Sequence, residues 1–112
     1  MEKIKAKNIF NIKNLQSEDP EIFENLITSE NIQIERIVTL KPYSKPGEWY
    51  DQEKDEWVLL LKGEAELEFS GENKLQLKAG DYILIPARKK HRINHSSQEQ
   101  KCIWLAIHGN LK

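Results

Sequence analysis

Cysteine is nearly absent from this sequence. Cys102 is the only one in 112 residues, so no internal disulfide can form and no thiolate zinc cluster can be assembled. Within Cys102-Ile103-Trp104-Leu105-Ala106-Ile107 that thiol reads as a buried structural side chain, because no base stands near it to activate it. An excess of charge of either sign is also missing. Seventeen Lys and Arg against eighteen Asp and Glu leave a formal net charge of -1, which removes any global pull toward nucleic acid or an anionic membrane and favours a small-molecule partner. No apolar run approaches the length of a membrane span. The opening Met1-Glu2-Lys3-Ile4-Lys5 has none long enough for a signal peptide either, so a cytoplasmic location is expected. Internal repeats, low-complexity tracts and linkers are lacking, and the polar stretch 14–20 reads as a loop, which leaves one domain over residues 1–112.

What is present describes a chain that folds unaided. Hydrophobic residues make up 38% and charged ones 31%, too apolar for disorder and charged enough for a wet surface around one core. Residues 23–27 fit a short strand, although Asp19-Pro20-Glu21 also resembles a helix start. Ile32-Gln33-Ile34-Glu35-Arg36-Ile37-Val38 is β-branched and partly alternating, and it ends at breakers running from Pro42 to Gly47. Trp57-Val58-Leu59-Leu60-Leu61 is apolar on both faces, whereas Ala65, Leu67 and Phe69 alternate with glutamates. Ser70-Gly71-Glu72-Asn73 reads as a hairpin loop and Ala79-Gly80-Asp81 as a turn, with further strands over 82–85, 91–95 and 102–107. Short strands at near-regular spacing predict an all-β antiparallel barrel, with helix confined at most to a turn near 19–25. Apolar strand faces such as Trp57, Leu59 and Leu61 suit burial by a second subunit, which predicts a homodimer.

Two stretches resemble the paired motifs of the cupin superfamily, G(X)5HXH(X)3,4E(X)6G and G(X)5PXG(X)2H(X)3N. Gly80, Pro86 and His91 stand at the spacing of the second motif, with Arg88 in place of its second glycine and His95 in place of its asparagine. Glu56 and Gly63 reproduce the end of the first motif, and Pro46-Gly47 supplies its opening turn. The two histidines of that motif are replaced, by Trp49 and Asp51 or, under the shorter spacing, by Tyr50 and Gln52. With the wording Trp49-Tyr50-Asp51-Gln52 and Trp104-Leu105-Ala106, the region 32–108 is similar to small stand-alone bacterial cupins. The resemblance implies a jelly-roll, or double-stranded β-helix, barrel. It also implies a divalent ion (Mn, Fe, Zn or Ni) on Glu56, His91 and Asp51 or Gln52, an oxygen-rich set that holds the ion weakly or not at all.

His91 and His95 share strand parity with Ile93, so both point into one cavity if the strand is regular; His95 is then the proton-moving candidate. Trp49 and Tyr50 are candidates to line the barrel mouth and stack on a planar substrate, against the alternative of plain packing. Arg88 leads the basic run 88–92, which either steers an anionic substrate or forms a solvated loop. No stacking aromatics interleave with it, so a nucleic-acid role is not expected. His108 reads as a frayed strand end. Two functions remain: a metal-dependent enzyme of dioxygenase, isomerase or decarboxylase type acting on a small polar or anionic molecule, and a binding or sensing protein without catalysis.

Overall fold

The computed structural model describes residues 2–13, 15–42, 48–71, 74–97 and 101–112. Eight strands follow one another: β1 (Glu21–Thr28), β2 (Ile32–Thr39), β3 (Asp55–Lys62), β4 (Glu64–Phe69), β5 (Lys74–Lys78), β6 (Tyr82–Ile85), β7 (His91–Ser96) and β8 (Cys102–Gly109). No helix occurs among the described residues, and so none is long and apolar enough to cross a membrane. The all-β expectation is met, including the strand reading of residues 23–27. The turn expected at Pro46-Gly47 and the Glu72-Asn73 tip of the hairpin lie outside the described residues.

The strands form a five-stranded sheet in the order β1-β2-β8-β3-β6 and a three-stranded sheet in the order β5-β4-β7. Every neighbouring pair is antiparallel. Val58, Leu60, Trp104 and Ala106 from the larger sheet pack against Ala65, Leu67, Leu77 and Ile93 from the smaller one, which closes a single core between two inner faces. Period-two alternation explains β3. Glu56, Val58 and Leu60 are buried inward, while Trp57, Leu59 and Leu61 stay half-exposed on the outer face, where the Trp57 and Tyr82 rings lie 5.5 Å apart.

Gly63 shows why the first motif ends on glycine. Its φ is +92°, and a Cβ there would stand 2.7 Å from Cys102 Sγ, so both the left-handed turn and the close approach of β8 exclude a side chain. Cys102 is fully buried, and its thiol donates to the Glu64 carbonyl at 3.2 Å, in keeping with a structural role.

Strand pairing is interrupted where it matters for the site. Between β4 and β7 the register runs from Glu66↔His95 to Leu67↔Ile93, so Asn94 is an extra residue, a β-bulge that resets side-chain parity. Ile93 remains in the core and Ser96 is buried, while His95 turns out to solvent.

Candidate functional site

The cavity lies between the two sheets and is reached through a short non-strand segment. Residues 48–54 run from the first motif toward β3 and are zipped to the second motif by backbone bonds. Tyr50 N–H donates to the His91 carbonyl at 2.8 Å, His91 N–H to the Tyr50 carbonyl at 3.1 Å, and Arg88 N–H to the Gln52 carbonyl at 2.7 Å. This bridge decides between the two motif spacings. Tyr50 and Gln52 turn inward and line the cavity with Glu56 and His91, whereas Trp49 and Asp51 turn away. The Asp55 carboxylate holds the approach in place by accepting the N–H groups of Ala87 and Leu111 at 2.9 and 3.0 Å. The Ala87 bond first, then that of Leu111, lowers its pKa.

His91 and Glu56 form the centre. Their side chains are 7% and 5% exposed, with Nε2 3.5 Å from Oε1, close enough for charge pairing but long for a hydrogen bond. The other ring nitrogen, Nδ1, lies 3.0 Å from the Lys89 carbonyl; donation there leaves Nε2 facing the cavity. Burial works to depress the His91 pKa, but the Glu56 side chain, the Lys89 carbonyl and the charges of Glu56 and Glu21 outweigh it, and the net shift is upward. Glu56 Oε1 and Gln52 Oε1 are both buried and meet no hydrogen-bond partner among the described residues.

A second polar group faces this pair, and sequence reasoning missed it. Glu21, the first residue of β1, lines the same cavity and is 8% exposed. Register places Glu21 opposite Thr39, and Thr39 opposite Cys102. Trp104 Nε1–H donates to Thr39 Oγ1 at 2.9 Å, the Thr39 hydroxyl to Glu21 Oε2 at 2.8 Å, and the Tyr50 hydroxyl to Glu21 Oε1 at 2.5 Å. Burial raises the Glu21 pKa against the opposing pull of the Tyr50 and Thr39 bonds, and the Glu56 charge adds to the rise. Burial and the neighbouring Glu21 carboxylate likewise push the Tyr50 phenol far up. No motif marks Glu21; the one available signal was a carboxylate opening an apolar strand, where burial without a partner is costly.

Free space at the centre is about 40 Å³, room for two to four waters at roughly 10–15 Å³ each. Phe23, with its ring 5.9 Å from that of Tyr50 and edge-on to it, stands between this cavity and two outer grooves. It lines all three. The groove on the Gln52 side measures about 530 Å³ and includes Gln33, Glu35, Lys54 and His108. His108 is therefore no frayed end. It sits in β8, its Nε2 2.6 Å from Glu35 Oε1, and that bond raises its pKa against the effect of burial.

Four expected site residues, Asp51, Arg88, Trp49 and His95, stand elsewhere. Asp51 is exposed and pairs with Arg88 at 3.2 Å, outside the cavity, because it has the opposite parity to Tyr50 and Gln52. Trp49 lies under the Arg92 guanidinium, 4.7 Å from the ring centre, and borders the outer groove that holds Glu48. His95 is removed by the bulge at Asn94. The basic run is likewise dispersed, with Arg88 on Asp51 and Arg92 on Glu68 at 3.0 Å.

Residues 36–108 match the profile of the cupin domain. The chain belongs to the cupin family. Among solved structures it is 33% identical to a protein of Ralstonia eutropha JMP134 provisionally named a mannose-6-phosphate isomerase, with a TM-score of 0.85 over 96% of this chain and 99% of that one. A cupin superfamily protein of Desulfitobacterium hafniense DCB-2 is 22% identical, with a TM-score of 0.67 over 86% and 84% of the two chains. An RmlC-like cupin of Methanocaldococcus jannaschii with a double-stranded β-helix fold is 17% identical, with a TM-score of 0.68 over 98% and 92%. No curated protein matches the sequence. The last two likenesses bear on the fold alone, and they make this barrel a double-stranded β-helix.

The divalent ion that the cupin motifs imply needs several imidazoles and a carboxylate converging. Here the four motif positions carry a phenol already bound to Glu21, a neutral amide, one carboxylate and one imidazole. Among the described residues no group of three His, Cys, Asp or Glu gathers to hold an ion. This donor set does not fit a tightly held transition metal, for which an amide oxygen and a phenol are poor substitutes for imidazole.

Proposed function

We propose that this cupin binds the hydroxylated, carbonyl-bearing end of a small polar organic molecule in its barrel, and that its chemistry is of the isomerase type. One observation carries the reading. Gln52 Oε1 and Glu56 Oε1 line one cavity as buried acceptors that no hydrogen bond satisfies among the described residues, His91 Nε2 standing 3.5 Å from the second, and such a group costs about 1–3 kcal/mol unless a donor meets it. Ligand hydroxyls are donors of the right kind, and His91 beside them, in its protonated form, offers Nε2–H to a ligand oxygen. The small central volume suits a two-carbon end of a ligand, with the remainder in the grooves beyond Phe23. The name of the Ralstonia eutropha relative supports a substrate of this class.

Calorimetric titration of the purified protein with mannose 6-phosphate, glyceraldehyde and manganese chloride tests it. Binding of at least one of the two organic probes, weakened about tenfold or more by Glu56→Gln, is expected, since that change removes a charged acceptor. Manganese binding by the parent that is lost in His91→Ala, with neither organic probe bound, would overturn the reading in favour of a resident divalent ion on Glu56, His91 and Gln52. Binding of mannose 6-phosphate without conversion to its ketose would leave a sensing or storage cupin.

A further inference from the structure

The charge lining the barrel cavity does not balance, although the chain as a whole is nearly neutral. Two buried carboxylates, Glu21 and Glu56, face the cavity, and His91 is the only basic group among the described residues that line it. Both Glu21 oxygens accept hydrogen bonds, from the Tyr50 and Thr39 hydroxyls, which is the pattern of an ionised carboxylate. Burial, and after it the Glu56 charge, work against that ionisation, as expected of two like charges with too little opposite charge beside them. A protonated His91 answers one carboxylate. The other is left uncompensated, and a buried charge without a partner is costly.

The hydrogen bonds point the same way. Glu56 Oε1 and Gln52 Oε1, the buried side-chain atoms that no hydrogen bond satisfies among the described residues, are both acceptors, and Glu56 is 4% exposed. The donors around them are committed, Trp104 N–H to Thr39 and the Tyr50 hydroxyl to Glu21, while His91 Nε2 at 3.5 Å is long for a bond to Glu56. Free space is about 40 Å³, so one small group has to meet both acceptors. A hydroxyl has one proton and satisfies one of them. A primary ammonium has three N–H groups and a positive charge, so it can satisfy both and supply the missing cation. Outside Phe23 the groove on the Trp49 side continues acidic, with Asp19 and Glu48 on its wall and no basic group among its described lining residues.

We propose that the cavity selects a primary ammonium group, held by Glu56 Oε1 and Gln52 Oε1, and that the ligand is an aminated polyhydroxy compound of the 2-amino sugar class. The proposal rests on the small-molecule reading above and adds the charge of the ligand. In a 2-amino sugar the nitrogen stands on the carbon next to the carbonyl-bearing one, so a single two-carbon end brings both the cation and the oxygen that His91 can meet. Selectivity follows from the same two acceptors. A neutral sugar offers a hydroxyl in place of the ammonium and leaves one carboxylate charge unanswered. An N-acetylated sugar loses the charge and two of the three N–H groups and adds bulk that so small a space does not admit.

The test is calorimetric titration of the full chain with mannosamine, mannose and N-acetylmannosamine at pH 7, below the ordinary α-amino value of about 7.7–8.0, so that the amine is mostly protonated. Mannosamine is expected to bind about tenfold or more tightly than mannose, the least that a charge-assisted bond contributes, and N-acetylmannosamine no better than mannose. Glu56→Gln keeps the shape of the side chain without its charge and should cut the preference for mannosamine below about threefold, with a circular dichroism spectrum matching the parent. The ranking of the three sugars on the parent needs no variant and decides the proposal if Glu56→Gln fails to fold. Mannose binding within threefold of mannosamine overturns the proposal and leaves the small-molecule reading intact. A preference for mannosamine kept in full by folded Glu56→Gln also overturns it, by placing the amine outside the cavity. Absence of binding by all three sugars, by mannose 6-phosphate and by glyceraldehyde overturns both.

Discussion

Stability should fall as pH rises between about pH 6 and 8, and Glu56 and Glu35 should carry the effect. Two half-buried or buried imidazoles, His91 and His108, have pKa values raised above the ordinary one. A group with a raised folded pKa binds more protons folded than unfolded. Its contribution is complete below the unfolded value, about 6.5 for imidazole, and is lost as pH climbs through the folded value. Glu21 acts in the same direction, beginning from the lower ordinary carboxylate value. The groups with lowered pKa, Asp55 and Glu66, lose their contribution only as pH falls through the acid range, outside this window. Each titrating group can give a slope of at most about 1.4 kcal/mol per pH unit, so two imidazoles together are bounded near 2.7. The His91–Glu56 side chains are 7% and 5% exposed and the His108–Glu35 side chains 12% and 13%, so solvent screening removes little of this. With a urea m-value of about 1–3 kcal/mol/M, each kcal/mol lost moves the midpoint by roughly 0.5 M. Urea midpoints at pH 6, 7 and 8 should therefore step downward in the parent. Glu56→Gln should remove the His91 share, Glu35→Gln the His108 share, and the double variant most of the slope. A flat or rising midpoint in the parent, or a double variant with the parent's slope, would refute the charge pairing on which the site rests.

Thr39→Val should destabilise by about 2–3 kcal/mol in urea unfolding, because it leaves the buried Trp104 N–H and the Glu21 carboxyl each one partner short; a loss below about 0.5 kcal/mol would contradict the network. Gly63→Ala should cost roughly 2–4 kcal/mol from a left-handed φ and overpacking. Adding Cys102→Ala should recover part of the overpacking share, since Ser97 Oγ at 3.0 Å and Cys102 Cα at 3.1 Å still crowd the new Cβ, and a double variant no more stable than the single one would show that the Cys102 thiol is not the obstacle. Asp51→Ala removes only an exposed ion pair with Arg88, so it should change stability by about 0.5 kcal/mol or less and leave probe binding unaltered; a tenfold loss of binding would return Asp51 to the site. Light scattering at micromolar concentration should give twice the chain mass, as the outward face of Trp57, Leu59 and Leu61 suits a second copy, and a monomer mass would dismiss the homodimer.

The sequence by itself determined the strand alternation and the turn at Gly80, because each depends on period-two parity or on spacing along a few consecutive residues, and the resemblance to the cupin motifs put Glu56 and His91 in one site. Which of Trp49-Asp51 or Tyr50-Gln52 faces inward was left open at that level. The antiparallel bridge between Tyr50 and His91 settled it, a contact between segments some forty residues apart whose parity no local pattern sets. His95 was assigned to the cavity from regular alternation, and one extra residue, Asn94, reversed it; a bulge answers to the partner strand, so the strand's own sequence does not announce it. Asp51 left the site for the same kind of reason, since its neighbour in parity is the exposed Arg88. Glu21 entered the site only through tertiary structure. Sheet order brings β1 beside β2, β2 beside β8, and so sets Glu21, Thr39 and Trp104 in one hydrogen-bonded line. Covalent spacing fixes which way neighbouring side chains point, but only the closure of the sheets decides which polar groups lose water together, and that shared desolvation is what makes these side chains a site.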